Sequence, residues 1–256
     1  MTSTILVAVI SGIVAVTGIV LSSYATVRTI RIQNELEMRR QQASGRDAIE
    51  EVMAQYKNPL LRSAIDLHGR IYSIMKVDFV KRHLKSDDTE WRDYAKASTL
   101  FRIAEFFGWI EILRQGVQFL DLGDQGRSRE LATLLQRISL AFANTHQFPN
   151  AAFRLFRDEQ RAIGELVIET LPSDQRGYQC MGYARFVGRL ELDPAFARWF
   201  TRLGDEMDLM IDPLPGYMDR LTNVHDELIS LLEFLDPGGI RYPTADQARN
   251  GTQELR

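Results

Sequence analysis

The spacing of apolar residues divides this chain into a short apolar segment and a long amphipathic remainder. Residues 1–27 contain no charged side chain, and the run from Ile5 to Leu21 is almost continuously apolar. With its uncharged flanks this run reaches the ~20 residues that a helix needs to cross a hydrocarbon core of roughly 30 Å. We therefore expect a transmembrane helix over residues 1–24.

The remainder shows apolar residues at intervals of three and four, which is typical of amphipathic helices. Residues 25–57 lack proline and are rich in helix-forming residues, so they predict a helical stalk. The pair Asn58-Pro59 indicates the start of a new helix, with a capping side chain and proline at the first helical position. The pattern predicts helices at about 58–84, 90–122, 127–144, 151–171, 178–190, 194–211 and 215–235.

Strand patterns are nearly absent outside the predicted span. The sequence therefore predicts an all-α protein, in which the transmembrane helix and stalk precede a multi-helix bundle over residues 58–236. A bundle of this length is large enough to bury a core without a metal or a disulfide. Residues 237–256 are polar and short of large apolar side chains, and we expect them to be disordered.

The flanks of the apolar run bear on its orientation. Ser23-Tyr24-Ala25 could form a signal-peptidase site, but the run is longer than a signal peptide usually has and no Lys or Arg precedes it. We expect a retained anchor. The positive residues after the run are Arg28, Arg31, Arg39 and Arg40. Because such residues stay on the cytoplasmic side, we expect a single-pass inner-membrane protein with its N-terminus outside and its bundle cytoplasmic.

Composition supports this placement and argues against one class of partner. Cys180 is the single cysteine, so the chain cannot form an internal disulfide. The net charge is −3 and the pI is about 5.9, and basic residues are interleaved with acidic ones. Binding to nucleic acid is therefore not expected. The expected partners are membrane lipid, at the apolar helix, and a second copy or another protein.

Recognisable catalytic motifs are missing from the sequence. It has neither a phosphate-binding loop nor a dinucleotide fingerprint, and its histidines lack the spacing of helical metal ligands. We assign no catalytic, cofactor-binding or metal-binding residues. His225-Asp226 resembles a dipeptide of helical metal-dependent phosphohydrolases, but further ligands are not evident. His68 is interpreted as a histidine at the edge of the core.

Two other features have ordinary interpretations. Asp205, Asp208 and Asp212 share one helix face, as a cation site would require, but a solvated face is the simpler interpretation. Cys180 has no partner that sequence can assign, and we expect it to be buried and inert.

A candidate interaction site lies on the helix that follows Pro59. Arg62, Asp66 and Arg70 are spaced at i, i+4 and i+8, which is typical of a surface ladder of ion pairs. If the ladder is buried, its charges need partners, and Glu105 or Glu111 of the helix predicted at 90–122 could supply them. The residues proposed for this polar cluster are Arg62, Asp66, Arg70, Tyr72 and Glu105.

Small residues recur one turn apart in the apolar run. Ala8, Gly12, Gly18 and Ser22 are the residues that could pack one transmembrane helix against another. Since small residues are frequent in membrane helices, this spacing permits self-association without requiring it.

The segment YKNPLLRSAIDLHGRIY resembles a segment of uncharacterised bacterial proteins that also begin with a single membrane helix. The resemblance covers about 17 residues. It implies a bacterial, inner-membrane setting, and it implies no activity and no functional residues.

Three functions remain open from the sequence. The favoured hypothesis is a non-enzymatic, membrane-anchored helical domain that acts in protein interaction or self-assembly, as a scaffold or a sensor. A second hypothesis is a membrane effector, in which the bundle senses a signal and the assembled transmembrane helices perturb the membrane. A third is a helical metal-dependent hydrolase that uses His225 and Asp226.

Overall fold

The computed structural model describes residues 56–76, 79–85, 87–117, 125–171, 177–213 and 215–239. These residues are 74% helix and 4% strand, which confirms the predicted helical character. The predicted transmembrane helix, most of the stalk and residues 240–256 of the predicted tail lie outside the described residues. None of the described helices has the length and apolar character needed to cross a membrane.

The described chain is a series of helices interrupted by one small hairpin. Residues 56–76 form the first helix, α1. A π-helical turn, Val80–Leu84, precedes the longest helix. The following elements are α2 (Thr89–Val117), α3 (Gln125–Ala143), α4 (Arg157–Val167), β1 (Ile168–Thr170), β2 (Tyr178–Cys180), α5 (Tyr183–Leu192), α6 (Pro194–Ala197), α7 (Thr201–Leu209) and α8 (Asp219–Leu235).

Helix α1 is buried over a wider arc than its spacing predicts. The predicted face is buried or half-buried, as Leu61 and Ile71 illustrate, but Leu60 and Leu67 on a neighbouring face are also buried. The helix is already formed at residues 56–58. Asn58 is therefore inside the helix, and the prediction that Asn58-Pro59 starts it was wrong by at least three residues.

Helix α2 begins where the sequence predicts. The Asp88 carboxylate accepts hydrogen bonds from the backbone N–H groups of Glu90 (2.9 Å) and Trp91 (3.4 Å), so it caps the first turn. The middle of the helix is buried, with Phe106 and Ile112 almost inaccessible to solvent. Its beginning is different, because Trp91 is 52% exposed. Only the middle of α2 is therefore buried on several sides.

The region after α3 differs most from the prediction. The predicted helix at 151–171 begins only at Arg157, and its last residues form β1. Strand β2 occupies the start of the helix predicted at 178–190. It pairs with β1 in the antiparallel direction, and Ile168 lies opposite Cys180. Ile168 and Thr170 are β-branched and favour an extended backbone. The apolar spacing of residues 151–171 predicts a helix, so this local preference was missed.

The predicted helix at 194–211 is interrupted. Asp193 caps α6 by accepting the N–H of Phe196 (3.1 Å), and a turn at residues 198–200 separates α6 from α7. The rings of Phe196 and Phe200 both pack on Phe186, with centroids 5.4 and 5.1 Å away. Aromatic packing with α5 thus accompanies the break that propensity alone does not predict.

One buried arginine holds the irregular segment 144–156 in place. Arg220, in the first turn of α8, is 0% exposed. Its guanidinium donates hydrogen bonds to four backbone carbonyls, those of Asn144, Phe148, Ala151 and Ala152. A buried carbonyl without a donor is unfavourable, so this one side chain replaces the hydrogen bonds that a helix would have supplied.

Two further contacts fix the end of the same segment. Phe153 has a φ of 59°, which is uncommon for a residue other than glycine, and its N–H donates to the Glu206 carboxylate. Arg202 bonds the carbonyl of Arg154 and both oxygens of Glu159. Since Glu159 lies in the first turn of α4, these contacts set where α4 begins.

We predict that Arg220→Met lowers the free energy of unfolding by about 3 kcal/mol, because methionine leaves four carbonyls without a donor. For a domain of this size the loss corresponds to a fall in Tm of roughly 6 to 12 °C. Thermal unfolding followed by circular dichroism measures it. Arg129→Met, at an exposed position of α3, is the matched control and should leave Tm within about 1 °C. Equal values of Tm for the two variants would contradict the assigned role of Arg220.

Candidate functional site

A cavity of about 490 Å³ lies between α2, α3 and α4, and we call it the central pocket. This volume falls within the range of small-molecule sites in proteins. Phe107, Ile110, Leu113, Leu131 and Leu135 form its apolar wall. The polar and small residues that also line it are Glu111, Arg114, Ser128, Ala132, Gln136, Ser139, Arg157, Gln160 and Arg161.

The polar floor of the central pocket joins α4 to α3. Gln160 is 4% exposed, and its amide nitrogen donates to the carbonyls of Ser139 (2.9 Å) and Leu155 (2.8 Å). Its amide oxygen accepts the hydroxyl of Ser139. These hydrogen bonds satisfy the buried amide and fix the orientation of α4 relative to α3.

Two glycines allow α2 and α4 to approach closely beside the pocket. A Cβ atom added to Gly164 would lie 2.6 Å from the carbonyl oxygen of Phe107, and one added to Gly108 would lie 2.7 Å from Val167 Cγ2. Both distances are too short for a real contact. The absence of a side chain at these positions therefore sets the distance between the two helices.

A buried carboxylate faces the central pocket. Glu111 is 2% exposed, and Arg114 binds its carboxylate with two nitrogens, one of them at 2.7 Å. Gln115 donates a third hydrogen bond at 3.1 Å. Burial raises the pKa of Glu111, but the hydrogen bonds from Arg114 and Gln115 outweigh it and leave the pKa below its usual value. The group is therefore ionised at neutral pH.

The predicted polar cluster is divided by the structure. Arg62 and Asp66 are exposed on α1, whereas Arg70 is 5% exposed. Burial and the charge of Asp66 raise the pKa of half-buried Glu105, and Arg102 and Arg62 oppose this. The charges that act on Glu105 are thus those of Asp66 and Arg62, at the exposed end of the ladder, and of Arg102.

Arg70 has an environment that the sequence does not indicate. Its guanidinium donates to Ser98 Oγ at 3.0 Å and lies over the ring of Phe79, 4.2 Å from its centroid. Burial, together with the charge of Arg102, lowers its pKa to about 10. Glu111 was a possible partner for Arg70, but it pairs with Arg114 instead.

Tyr72 belongs to a different group, in which two histidines meet. The rings of His68 on α1 and His225 on α8 stack with centroids 4.5 Å apart, and Tyr72 lies 6.1 Å from His225. The Nε2 atoms of both histidines are buried and make no hydrogen bond within the described residues. His225 Nδ1 is 3.4 Å from a carboxylate oxygen of Asp226. Burial, and then the neighbouring His225, lower the pKa of His68 to about 4.

The other candidate groups have the surroundings of ordinary structural residues. Asp205, Asp208 and Asp212 are exposed, and Asp208 pairs with Lys96 at 2.6 Å. Burial raises the pKa of the Cys180 thiol, so it is protonated at neutral pH. In the described parts of the chain, no three His, Cys, Asp or Glu side chains form a group that could hold a metal ion. Ala8, Gly12, Gly18 and Ser22 lie outside the described residues.

A row of aromatic rings reaches the surface at the start of α2. Trp91 and Tyr94 are 52% and 48% exposed. Trp91 packs on His83, with centroids 5.4 Å apart, and Tyr94 packs on Tyr183 at 6.4 Å. Exposed aromatic side chains held in place by neighbours are common at protein interfaces.

Sequence reasoning did not identify the central pocket. Its polar residues show only weak local signals, namely Glu111 and Arg114 at i and i+3, and Arg157 and Arg161 at i and i+4. These spacings are common on exposed helices. That they share a cavity depends on how three helices pack.

Comparisons of the chain with known protein families, with curated proteins and with solved structures found no match.

We predict that acidification destabilises the fold through His68. Its pKa is about 4 in the folded chain and about 6.5 in the unfolded chain, so the unfolded state binds more protons between these values. The stabilisation is complete above about pH 6.5 and is lost as the pH falls towards 4, by up to ~3 kcal/mol. Chemical denaturation at about pH 7.5 and pH 5 measures the loss.

His68→Gln should reduce this pH dependence, and His146→Gln, at an exposed histidine, should retain it. The same loss of stability in His68→Gln as in the unaltered chain would contradict the assignment.

Proposed function

We propose that this chain is a single-span inner-membrane protein whose cytoplasmic helical domain is a sensor. In this proposal the domain binds a small, mainly apolar molecule in the central pocket. It then acts through self-assembly or through contact with another protein. The central pocket is the observation that carries the proposal.

Three properties of the pocket support a binding role. It has an apolar wall, a few polar groups fixed by hydrogen bonds, and walls that belong to three different helices. A site between helices can couple occupancy to helix packing, because a ligand that contacts all three favours one arrangement of them. An enzyme would in addition need a group positioned to react, and the carboxylate of Glu111 is engaged by Arg114 and Gln115.

The membrane setting rests on the N-terminal sequence. The apolar run of residues 1–24 supports an anchor, and its small residues Ala8, Gly12, Gly18 and Ser22 support contact between anchors. The exposed Trp91 and Tyr94 support contact with a partner protein as a second route for output. The effector alternative differs only in what the assembled anchors do to the membrane.

We predict that filling the pocket abolishes ligand-dependent stabilisation. The probe is 1-octanol, added to the full-length chain in phosphatidylcholine nanodiscs. At ten times the dissociation constant it should raise Tm by roughly 3 °C. Ala132→Trp should abolish the rise in Tm. Ala132 is an exposed residue at the mouth of the pocket, so an indole ring at this position occupies the space that the probe needs. Thr133→Trp is the matched control, since Thr133 is exposed on the same helix and does not line the pocket.

Comparing the shift in Tm of Ala132→Trp with that of Thr133→Trp separates binding in the pocket from any effect of 1-octanol on the bilayer, because the bilayer effect is the same for both variants. Equal shifts in Ala132→Trp and Thr133→Trp would contradict binding in the pocket. Light scattering of the same samples tests the output. A larger oligomeric fraction with octanol supports sensing through self-assembly, and a constant monomer mass overturns that part of the proposal.

A further inference from the structure

Charge is distributed unevenly around the central pocket. Arg114, Arg157 and Arg161 line it together with a single carboxylate, that of Glu111. Arg114 and Glu111 form a close pair with two hydrogen bonds, so their charges largely cancel. The remaining charge of the lining is that of Arg157 and Arg161, which lie one turn apart on α4.

These two arginines are weakly engaged within the protein. Arg161 Nε lies 4.0 Å from Glu111 Oε2, and its Nη2 lies 3.8 Å from Glu165 Oε1. Both distances exceed the roughly 2.7 to 2.9 Å of a charge-assisted hydrogen bond. Arg157 is exposed and makes no ion pair with any described residue. Two guanidinium groups at the mouth of the pocket can therefore turn towards a ligand without breaking a strong contact.

We infer that the ligand of the central pocket is a single-chain amphipathic anion, whose apolar chain lies along α2 and α3 and whose anionic head group is bound by Arg157 and Arg161. This inference rests on the proposed function, because it takes the pocket to be a binding site. The apolar wall selects the chain, and the two arginines select the head group.

The charges of the site disfavour the alternatives. A cationic head group would meet Arg157 and Arg161 and would find the Glu111 carboxylate already bound to Arg114 and Gln115. Glu111 is ionised at neutral pH, and its carboxylate is bound by Arg114 and Gln115, with Arg161 Nε 4.0 Å away. A neutral molecule can bind the apolar wall, but it gains nothing from the two arginines.

Three probes with the same chain separate these cases. Octanoate and octyltrimethylammonium are titrated below their micellar concentrations, and 1-octanol below its solubility, into the full-length chain in phosphatidylcholine nanodiscs. Heat is measured against empty nanodiscs. Octanoate should bind about tenfold more tightly than 1-octanol. Octyltrimethylammonium should bind more weakly than either.

Variants test the arginines directly. Arg157→Gln/Arg161→Gln should reduce octanoate affinity to that of 1-octanol or lower, because the carboxylate then has no counter-charge, and should leave 1-octanol affinity unchanged. Arg129→Gln/Arg198→Gln removes two exposed arginines outside the pocket and should leave both affinities unchanged. Ala132→Trp should abolish binding of both probes, and Gln136→Trp, also at the exposed mouth, replaces it if Ala132→Trp fails to fold.

The outcomes distinguish the inference from the proposed function. Equal affinities for octanoate and 1-octanol, both lost in Ala132→Trp, would overturn the anionic ligand and leave the pocket as a binding site. No binding of any probe would overturn both. Loss of octanoate affinity in the control double variant would also overturn the role of Arg157 and Arg161.

The anion could come from water or from the bilayer. Native mass spectrometry of the chain released from phosphatidylcholine nanodiscs that contain lysophosphatidylglycerol, a single-chain anionic lipid, separates these sources. A retained lipid mass that Ala132→Trp lacks assigns the head group to a membrane lipid, and its absence together with tight octanoate binding assigns it to a free acid.

Discussion

Arg220 supplies hydrogen bonds to a segment that has no regular backbone ladder of its own. The segment 144–156 leaves α3, crosses to α4 without regular structure and has a left-handed Phe153 within it. Four of its carbonyls depend on one guanidinium, which is completely buried. Because α4 begins where this segment ends, Arg220 on α8 acts together with Arg202 and Glu206 to set the position of α4, which forms the third wall of the central pocket.

The central pocket results from two constraints that act together on α4. On one side, Gly108 and Gly164 bring α4 into close contact with α2. On the other, Gln160 bonds the backbone and hydroxyl of Ser139 on α3. A helix fixed at both contacts cannot close over the space between α2 and α3. The cavity is thus a consequence of the contacts that fix α4 against α2 and α3, and Gln160 and Ser139 also supply part of its polar lining.

The sequence predicts the helices of this domain better than their arrangement. Strong spacing and an Asp88 cap locate α2 and α3, since these signals are local. The hairpin at Ile168 was missed because three extended residues have no period of their own. Arg220 was also missed, because its neighbours in sequence resemble those of any exposed helical arginine. Its role depends on carbonyls about 70 residues away in the chain.

The candidate site shows the same division. The spacing of Arg62, Asp66 and Arg70 is visible in the sequence, but only the packing of the helices shows that Asp66 is exposed and Arg70 is buried.

The central claim is that segment 144–156 has a fixed structure that positions α4. Hydrogen–deuterium exchange of residues 148–156 in the full-length chain tests this claim most directly. The amides of Ala152, Phe153 and Leu155, which have specific acceptors, should exchange as slowly as those of α4. Exchange at the rate of an unstructured peptide would mean that α4 has no fixed position and that the pocket is not a preformed site.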